Sequence, residues 1–273
     1  MSKILSGKTA VVTGGATGIG HAIVVALGRA GAHVIVGDIR SSPKPGSYDE
    51  SPDMDVVELL RSEGLSAEYL EADVTSPAAM AALAECAVAA AGKLDIWVNN
   101  AGIVAPLKRF HEYADEEFDR SLTVNTKGTW NGMRAAIRQM LKQDDGGAIV
   151  NVISTAGIRP HPNQAIYDIP KAANVQATKC AALEYGPNRI RVNGVCPSIT
   201  KTALSRPFID TPQFRSWFST IVTLGAPVDQ RQVADAVLFL ASEAASAITG
   251  VLLPVDMGEQ LGPPNAGMPP SPA

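Results

Sequence analysis

Residues 13–20 read TGGATGIG, at the end of the apolar run TAVVT (Thr9–Thr13) and directly before HAIVVALGRAG (His21–Gly31). That order of strand, glycine-rich turn and helix decides the fold. A chain that turns sharply from a buried strand into a helix aims the helix's unpaired N–H groups at whatever lies in the turn, and a diphosphate suits such a place. Gly14 allows the tight turn, Gly18 lets backbone approach a pyrophosphate, and Gly20 lets the helix pack closely on the strand. Asp38 closes the next apolar run, VIVGD, eighteen positions after Gly20. A carboxylate there can take the adenosine ribose hydroxyls and repels a 2′-phosphate. Arg40, two residues on, is the competing group that would hold such a phosphate. Residues 14–20 contain no Lys or Arg, so NAD is the expected cofactor, with NADP second.

The alternation continues outward from this turn. Strands are expected at Thr9–Thr13, His33–Gly37, Ser66–Glu71, Ile96–Asn99, Ala148–Val152, Arg191–Val195 and Val251–Val255, each bounded by turn formers. Between them, apolar residues recur at three and four over Gly20–Arg29, Asp55–Ser62, Pro77–Ala90, Glu116–Gln143, Pro170–Tyr185 and Asp229–Ser242. Several strands are apolar throughout, which requires cover on both faces. The expected fold is α/β: a single doubly wound Rossmann-type domain, with a seven-stranded parallel sheet and helices on both faces. We place that domain at residues 1–258, with a surface loop at Ser41–Asp53 (SSPKPGSYDESPD) and a Pro/Gly-rich tail without regular structure at residues 259–273.

Composition narrows the partners. The chain has 273 residues, 46% hydrophobic and 18% charged, with a net charge of −4 and scattered basic residues. Nucleic acid and anionic membranes are therefore not expected. The apolar start is too short and too soon broken by Gly and Lys for a signal peptide or membrane span, so a cytoplasmic protein is expected. Cys86, Cys180 and Cys196 are widely spaced, which fits buried core thiols better than disulfides or a metal site.

YDIPK (Tyr167–Lys171) places a phenol and an ammonium four residues apart, on one face of a helix. A free phenol titrates near ~10, too high for a base at neutral pH. A cation at about 4 Å is worth on the order of 4 kcal/mol at an effective dielectric of 20, enough to bring it within range. Ser154, thirteen residues upstream and just after a strand, is placed to orient a substrate oxygen beside that phenol.

With these residues in view, the sequence resembles the short-chain dehydrogenase/reductase family from Gly7 to Gly258. TGGATGIG looks like the family's cofactor turn, Asp73–Val74 like its adenine-side pair, and NNAG (Asn99–Gly102) like its fourth-strand motif. Asn125 in VNTKG, Ser154 in NVISTAG, and Tyr167 with Lys171 look like its Asn-Ser-Tyr-Lys tetrad. The resemblance implies hydride transfer between a nicotinamide cofactor and a secondary alcohol or ketone, with Tyr167 as acid/base. It also implies that Lys171 holds the nicotinamide ribose and that Asn125 interrupts its helix to anchor a proton-relaying water. The implied cofactor contacts are Gly14, Thr17, Gly18, Ile19, Gly20, Asp38, Asp73, Val74, Asn100, Ala101, Gly102, Tyr167, Lys171, Pro197, Ile199 and Thr202. The small-molecule substrate would be chosen by Lys201–Gly225 and by the segments after Gly102 and Ser154. Pairing of Glu116–Gln143 and Pro170–Tyr185 between subunits would give a homotetramer, or failing that a dimer.

Two departures from the family's pattern carry expectations. Ser198 stands where a glycine usually eases a turn, so that turn is expected to be altered. Pro170 cannot bond back to Ile166 and pushes Ile169 from helical torsions, so its helix is expected to start late, with Pro170 in the first turn, Tyr167 at or before the N-terminus, and Asp168 as a cap. Two other functions stay open: a non-catalytic dinucleotide sensor or scaffold, and a carbon–carbon double-bond reductase.

Overall fold

The computed structural model describes residues 3–262, and residues 263–273 of the expected tail lie outside the described residues. All seven expected strands form. They are β1 (Thr9–Thr13), β2 (His33–Asp38), β3 (Ala67–Glu71), β4 (Ile96–Asn99), β5 (Gly147–Val152), β6 (Ile190–Pro197) and β7 (Leu252–Val255). Their pairings are all parallel, in the order β3-β2-β1-β4-β5-β6-β7. The order reverses between β1 and β4, where Thr13 lies opposite Asn99. The crevice outside these strand ends is the binding position that such a sheet creates. The topology thus brings the glycine turn and the NNAG motif face to face.

Among the described residues, nine α-helices accompany the strands: α1 (Gly18–Arg29), α2 (Val56–Ser62), α3 (Pro77–Ala91), α4 (Asp115–Ser121), α5 (Gly128–Gln143), α6 (Ala165–Tyr185), α7 (Arg206–Ile209), α8 (Pro212–Ile221) and α9 (Gln230–Ala241). Two apolar layers sandwich the sheet. Ile23, Leu27, Leu60, Val237 and Leu240 pack on one face from α1, α2 and α9. Leu83, Met133, Ile137, Met140 and Ala181 pack on the other from α3, α5 and α6. This two-sided burial is why β1 is apolar at every position but its ends.

Four local readings are corrected. The single helix expected over Glu116–Gln143 is split by a π-helical stretch, Leu122–Lys127, that contains Asn125. A wide turn of this kind frees a carbonyl from the helical ladder. The Asn125 carbonyl accepts instead from Asn174 Nδ2 at 2.8 Å and Thr129 Oγ1 at 3.0 Å.

The helix with Tyr167 does not start late. α6 begins at Ala165 and runs unbroken through Pro170, with Gln164 as its cap. The carbonyl that Pro170 leaves without a partner, Ile166 O, accepts from the Ser121 hydroxyl, and Thr126 Oγ1 donates to the Pro170 carbonyl at 3.1 Å. A buried acceptor that finds a new donor loses most of the penalty of the missing bond. Asp168 does not cap the helix; its carboxylate accepts from His161 N–H at 2.6 Å.

The cysteines are not uniformly core residues. Cys196 is buried in β6, Cys86 is half-buried, and Cys180 is exposed on the outer face of α6. Finally, parts of the two irregular segments are buried. Ser47 and Asp49 of the Ser41–Asp53 loop are buried, and so is Glu259, which opens a short turn Glu259–Leu261 beyond the expected domain end.

Candidate active site

The glycine turn is shaped for a close backbone approach. Gly14 and Gly18 have φ of +64° and +63°, conformations that a side chain resists. A Cβ on Gly20 would lie 1.9 Å from Gly14 O, and one on Gly14 would lie 2.7 Å from Ala101 Cα. Asn100 holds the turn from across the crevice, its Nδ2 donating to Gly14 O at 2.8 Å and to Thr13 O at 3.2 Å. The Thr13 hydroxyl accepts from the backbone N–H groups of Asn100 and Ala101 at 3.1 and 3.3 Å. Asn100 and Ala101 are therefore seen first as braces of the turn.

Asp38 sits at the end of β2, and its Oδ2 accepts from Ala16 N–H at 3.1 Å. Burial pushes its carboxyl up, opposed by the N–H groups of Ala16, Arg40 and Ile39. Asp73 and Val74 follow β3, whose Glu71 pairs with Asp38. The Val74 carbonyl accepts from Asn131 Nδ2 at 3.0 Å, which pins this pair to α5. At the other end of the crevice Pro197 closes β6. Thr202 lies across from the turn, its Cγ2 3.4 Å from where a Gly18 Cβ would stand. Ile19, Ile199 and Thr202 thus come from two elements that face each other. Ser198 is not among the non-glycine residues in left-handed backbone, which among the described residues are Ser51, Asp144, Asn163, Arg189 and Met257, so its own conformation does not require a glycine. These residues fit an extended dinucleotide laid from Asp38 to Pro197.

Two of the tetrad residues, Asn125 and Lys171, meet beside Gly102. A Cβ on Gly102 would stand 3.0 Å from Asn125 Oδ1 and 3.8 Å from Lys171 Nζ. Asn125 spends its side chain on Ile103, accepting from its N–H at 2.8 Å and donating to its carbonyl at 3.0 Å. Lys171 Nζ donates to Val152 O at 3.2 Å and lies 5.6 Å from the centre of the Tyr167 ring. Ser154 lies two residues past β5, its Oγ accepting from Ala156 N–H at 3.1 Å.

The electrostatics correct one expectation. Burial pushes the Tyr167 phenol up, the Ser154 hydroxyl pulls it down, and Asp168 adds to the rise. Burial lowers the Lys171 ammonium to about 8, with Cys196 opposing. Desolvation penalises both charged forms and is the largest influence on the phenol, which stands above its ordinary value.

A second polar cluster lies behind the first, and no spacing in the sequence signals it. Thr155, Asp168 and Ser198 immediately follow Ser154, Tyr167 and Pro197, and all three are buried. Glu259 reaches into this group from beyond β7. Its Oε1 pairs with His161 Nε2 at 2.9 Å, and its carbonyl accepts from Arg159 Nη1 at 3.3 Å. Burial pushes the Glu259 carboxyl up, but His161 and the neighbouring Ser198 and Thr155 hydroxyls outweigh it and hold it below its usual range. Neither Ser198 Oγ nor Glu259 Oε2 closes a hydrogen bond of normal geometry. Glu259 raises the His161 imidazole, against burial.

The pair should therefore stabilise the fold by an amount that depends on pH. The His161 share is complete below the unfolded value of 6.5 and fades as pH climbs through its raised folded value. The Glu259 share is complete above 4.5 and fades as pH falls through its lowered folded value. Replacing His161 with Ala is expected to cost about 2 kcal/mol between these limits. The gap in Tm between the two proteins, followed across pH, should narrow on the alkaline side.

Comparison with known proteins agrees with this geometry. A family model described as enoyl-(acyl carrier protein) reductase matches residues 14–260. The 4-formylbenzenesulfonate dehydrogenase of Comamonas testosteroni is 37% identical over 260 residues, which is 94% of this chain and 99% of that protein. A short-chain type dehydrogenase/reductase from Mycobacterium marinum superposes with a TM-score of 0.83 at 31% identity, covering 93% of this chain and 96% of that one. The chain belongs to the short-chain dehydrogenase/reductase family.

As a member of that family it is an oxidoreductase with a nicotinamide-binding fold. Another of its structural relatives, carveol dehydrogenase from Mycobacterium avium, is described in complex with NAD; it has a TM-score of 0.85 and 29% identity over 94% of this chain and 99% of that one. Among the described residues, no helix of this short-chain dehydrogenase/reductase is long and apolar enough to cross a membrane.

Proposed function

We propose that the protein transfers hydride between NAD and a secondary alcohol or ketone, with Tyr167 as the acid/base. The observation that carries this reading is the meeting of Asn125, Lys171 and Gly102 in one place, with the Tyr167 ring 5.6 Å from the ammonium. The cofactor, when bound, accepts or gives the hydride at the carbon bearing the substrate oxygen. Ser154 holds that oxygen by a hydrogen bond. Tyr167 Oη takes the hydroxyl proton in oxidation and returns one in reduction. Lys171 holds the nicotinamide ribose and, charged beside the ring, favours the phenolate whenever the phenol gives up its proton. Asn125 widens the helix before α5 and keeps Ile103, and with it Gly102, against the cofactor cleft.

NAD is favoured over NADP by Asp38. Its carboxylate stands at the glycine turn, accepting from the uncharged Ala16 N–H, where it would take the adenosine ribose hydroxyls. A homotetramer in the cytoplasm is proposed as the working form. Trp130 and Leu141 of α5 and Leu183 of α6 are apolar and 51%, 41% and 82% exposed, which suits helix pairing between subunits. Light scattering tests it, and a monomer at micromolar concentration removes the idea.

The deciding experiment is a fluorescence assay for NADH over a panel of diols, sugars, steroids and aromatic alcohols with both cofactors. Reduction of NAD by secondary alcohols is the expected result. Binding of NADH without turnover of any of them favours the sensor. Turnover confined to unsaturated carbonyl compounds favours a double-bond reductase, the chemistry named in the family model's description.

A further inference from the structure

We propose that Asp49 is a second determinant of cofactor choice: the loop after β2 carries its carboxylate back over the glycine turn, where it stands with Asp38 against a 2′-phosphate. This rests on the reading that the turn holds NAD. From sequence only Asp38 occupies that role, and Asp49 belongs to a stretch of turn formers. In the structure Asp49 is 5% exposed and touches the turn directly. Gly18 N–H donates to Asp49 Oδ1 at 2.8 Å, and Thr17 Oγ1 donates to Oδ2 at 2.9 Å. Ala16 N–H donates to Asp38 Oδ2 at 3.1 Å.

Three consecutive residues, Ala16, Thr17 and Gly18, therefore each give a donor to one of two carboxylates. A 2′-phosphate hangs from the ribose that Asp38 takes, beside Ala16 and Thr17. It would find the donors there already committed and two anions beside them. Like charges so placed oppose binding strongly.

The loop is held, so Asp49 is not a loose surface acid. Lys44 N–H donates to Thr17 Oγ1 at 3.2 Å, Arg206 Nη2 to Ser47 O at 3.3 Å, and Gln230 Nε2 to Tyr48 O at 2.8 Å. The Arg206 guanidinium lies 4.0 Å from the centre of the Tyr48 ring, a further hold on the loop. His21, one turn along α1, is held below its ordinary value by burial, against the pull of Asp49 and Glu50, so it brings no compensating charge. Lys44 is the cation nearest Asp49 in sequence and Arg40 the one nearest Asp38, whose Oδ1 accepts from the Arg40 backbone N–H at 3.3 Å.

The test measures dissociation constants for NADH and NADPH by fluorescence titration in the wild type and in Asp49→Asn and Asp49→Ser. Asn keeps an acceptor for Gly18 and a polar group for Thr17 while removing the charge; Ser removes charge and reach together. The ratio of the two constants is expected to move toward NADPH by about tenfold or more in both variants, mostly through tighter NADPH binding. A wild type that prefers NADH, with a ratio unchanged in the variants, overturns the role of Asp49 alone. Equal loss of both ligands does the same, because it makes Asp49 a latch for the loop. A wild type without preference for NADH overturns the NAD reading as well, and the two failures are thus distinct.

Discussion

Replacing Tyr167 with Phe is expected to lower kcat by about a thousandfold or more, while NADH still binds with nearly the wild-type affinity. A positioned acid/base supplies roughly 10²–10⁴ in rate. The upper part of that range applies because the phenol is the sole proton donor beside Ser154 in the reading above. The ring itself packs beside Lys171, whose ammonium is 5.6 Å from its centre and is anchored independently on the Val152 carbonyl at 3.2 Å. Phe keeps that ring, so the cofactor's neighbours stay in place. Lys171→Ala is expected to behave differently and damage both NADH binding and kcat, because the ammonium is proposed to hold the ribose. Steady-state kinetics and NADH titration on the same preparations separate the two effects. Substantial turnover in Tyr167→Phe would place the acid/base elsewhere and remove the mechanism.

Much of this site was legible before any coordinates because its residues come in short, fixed spacings. TGGATGIG, NNAG and YDIPK each lie within one turn or one strand end, where local geometry determines what they can face. The strands were legible for a related reason: β1 and β5 are buried on both faces and show it as consecutive apolar residues at Ala10–Val12 and Ala148–Val150. What local reasoning missed was set by distant partners. The proline rule applied to Pro170 is sound, but the donor that relieves it is Ser121, 45 residues from the Ile166 carbonyl it serves. A three-and-four periodicity also cannot show the extra residue of the π-helical turn at Leu122–Lys127. Asp49 and Glu259 lie in stretches whose Pro, Gly and Ser content reads as irregular. Their burial depends on α1 in one case and on His161 in the other. The polar cluster behind Ser154 and Tyr167 could not be found by spacing at all, since its members come from four separate elements.

Gly20→Ala is the substitution expected to do the most harm to the protein as a whole. The added methyl would lie 1.9 Å from Gly14 O and 2.5 Å from Asn100 Nδ2, and neither neighbour can yield. Gly14 is held by its own N–H on Gly37 O at 2.7 Å and by Asn100 on its carbonyl at 2.8 Å. Asn100 is itself fixed by the Thr13 hydroxyl, so relief requires moving the start of α1 off β1. Overpacking at a rigid site costs about 3 kcal/mol at the upper end of its usual range. For a domain of this size that lowers Tm by roughly 6–12 °C. The same displacement opens the cradle and takes the N–H groups of α1 away from the diphosphate, so NADH affinity should fall on the order of a hundredfold, the equivalent of that strain. Gly186→Ala is the control: nothing lies within 4 Å of its Cβ position and its φ is −53°, so Ala there should be neutral or stabilise by up to about 1 kcal/mol. Thermal unfolding and NADH titration of the pair decide the matter. A Gly20→Ala protein that unfolds at a lower temperature yet binds NADH as the wild type does would show that the turn is a packing device and that the dinucleotide lies elsewhere.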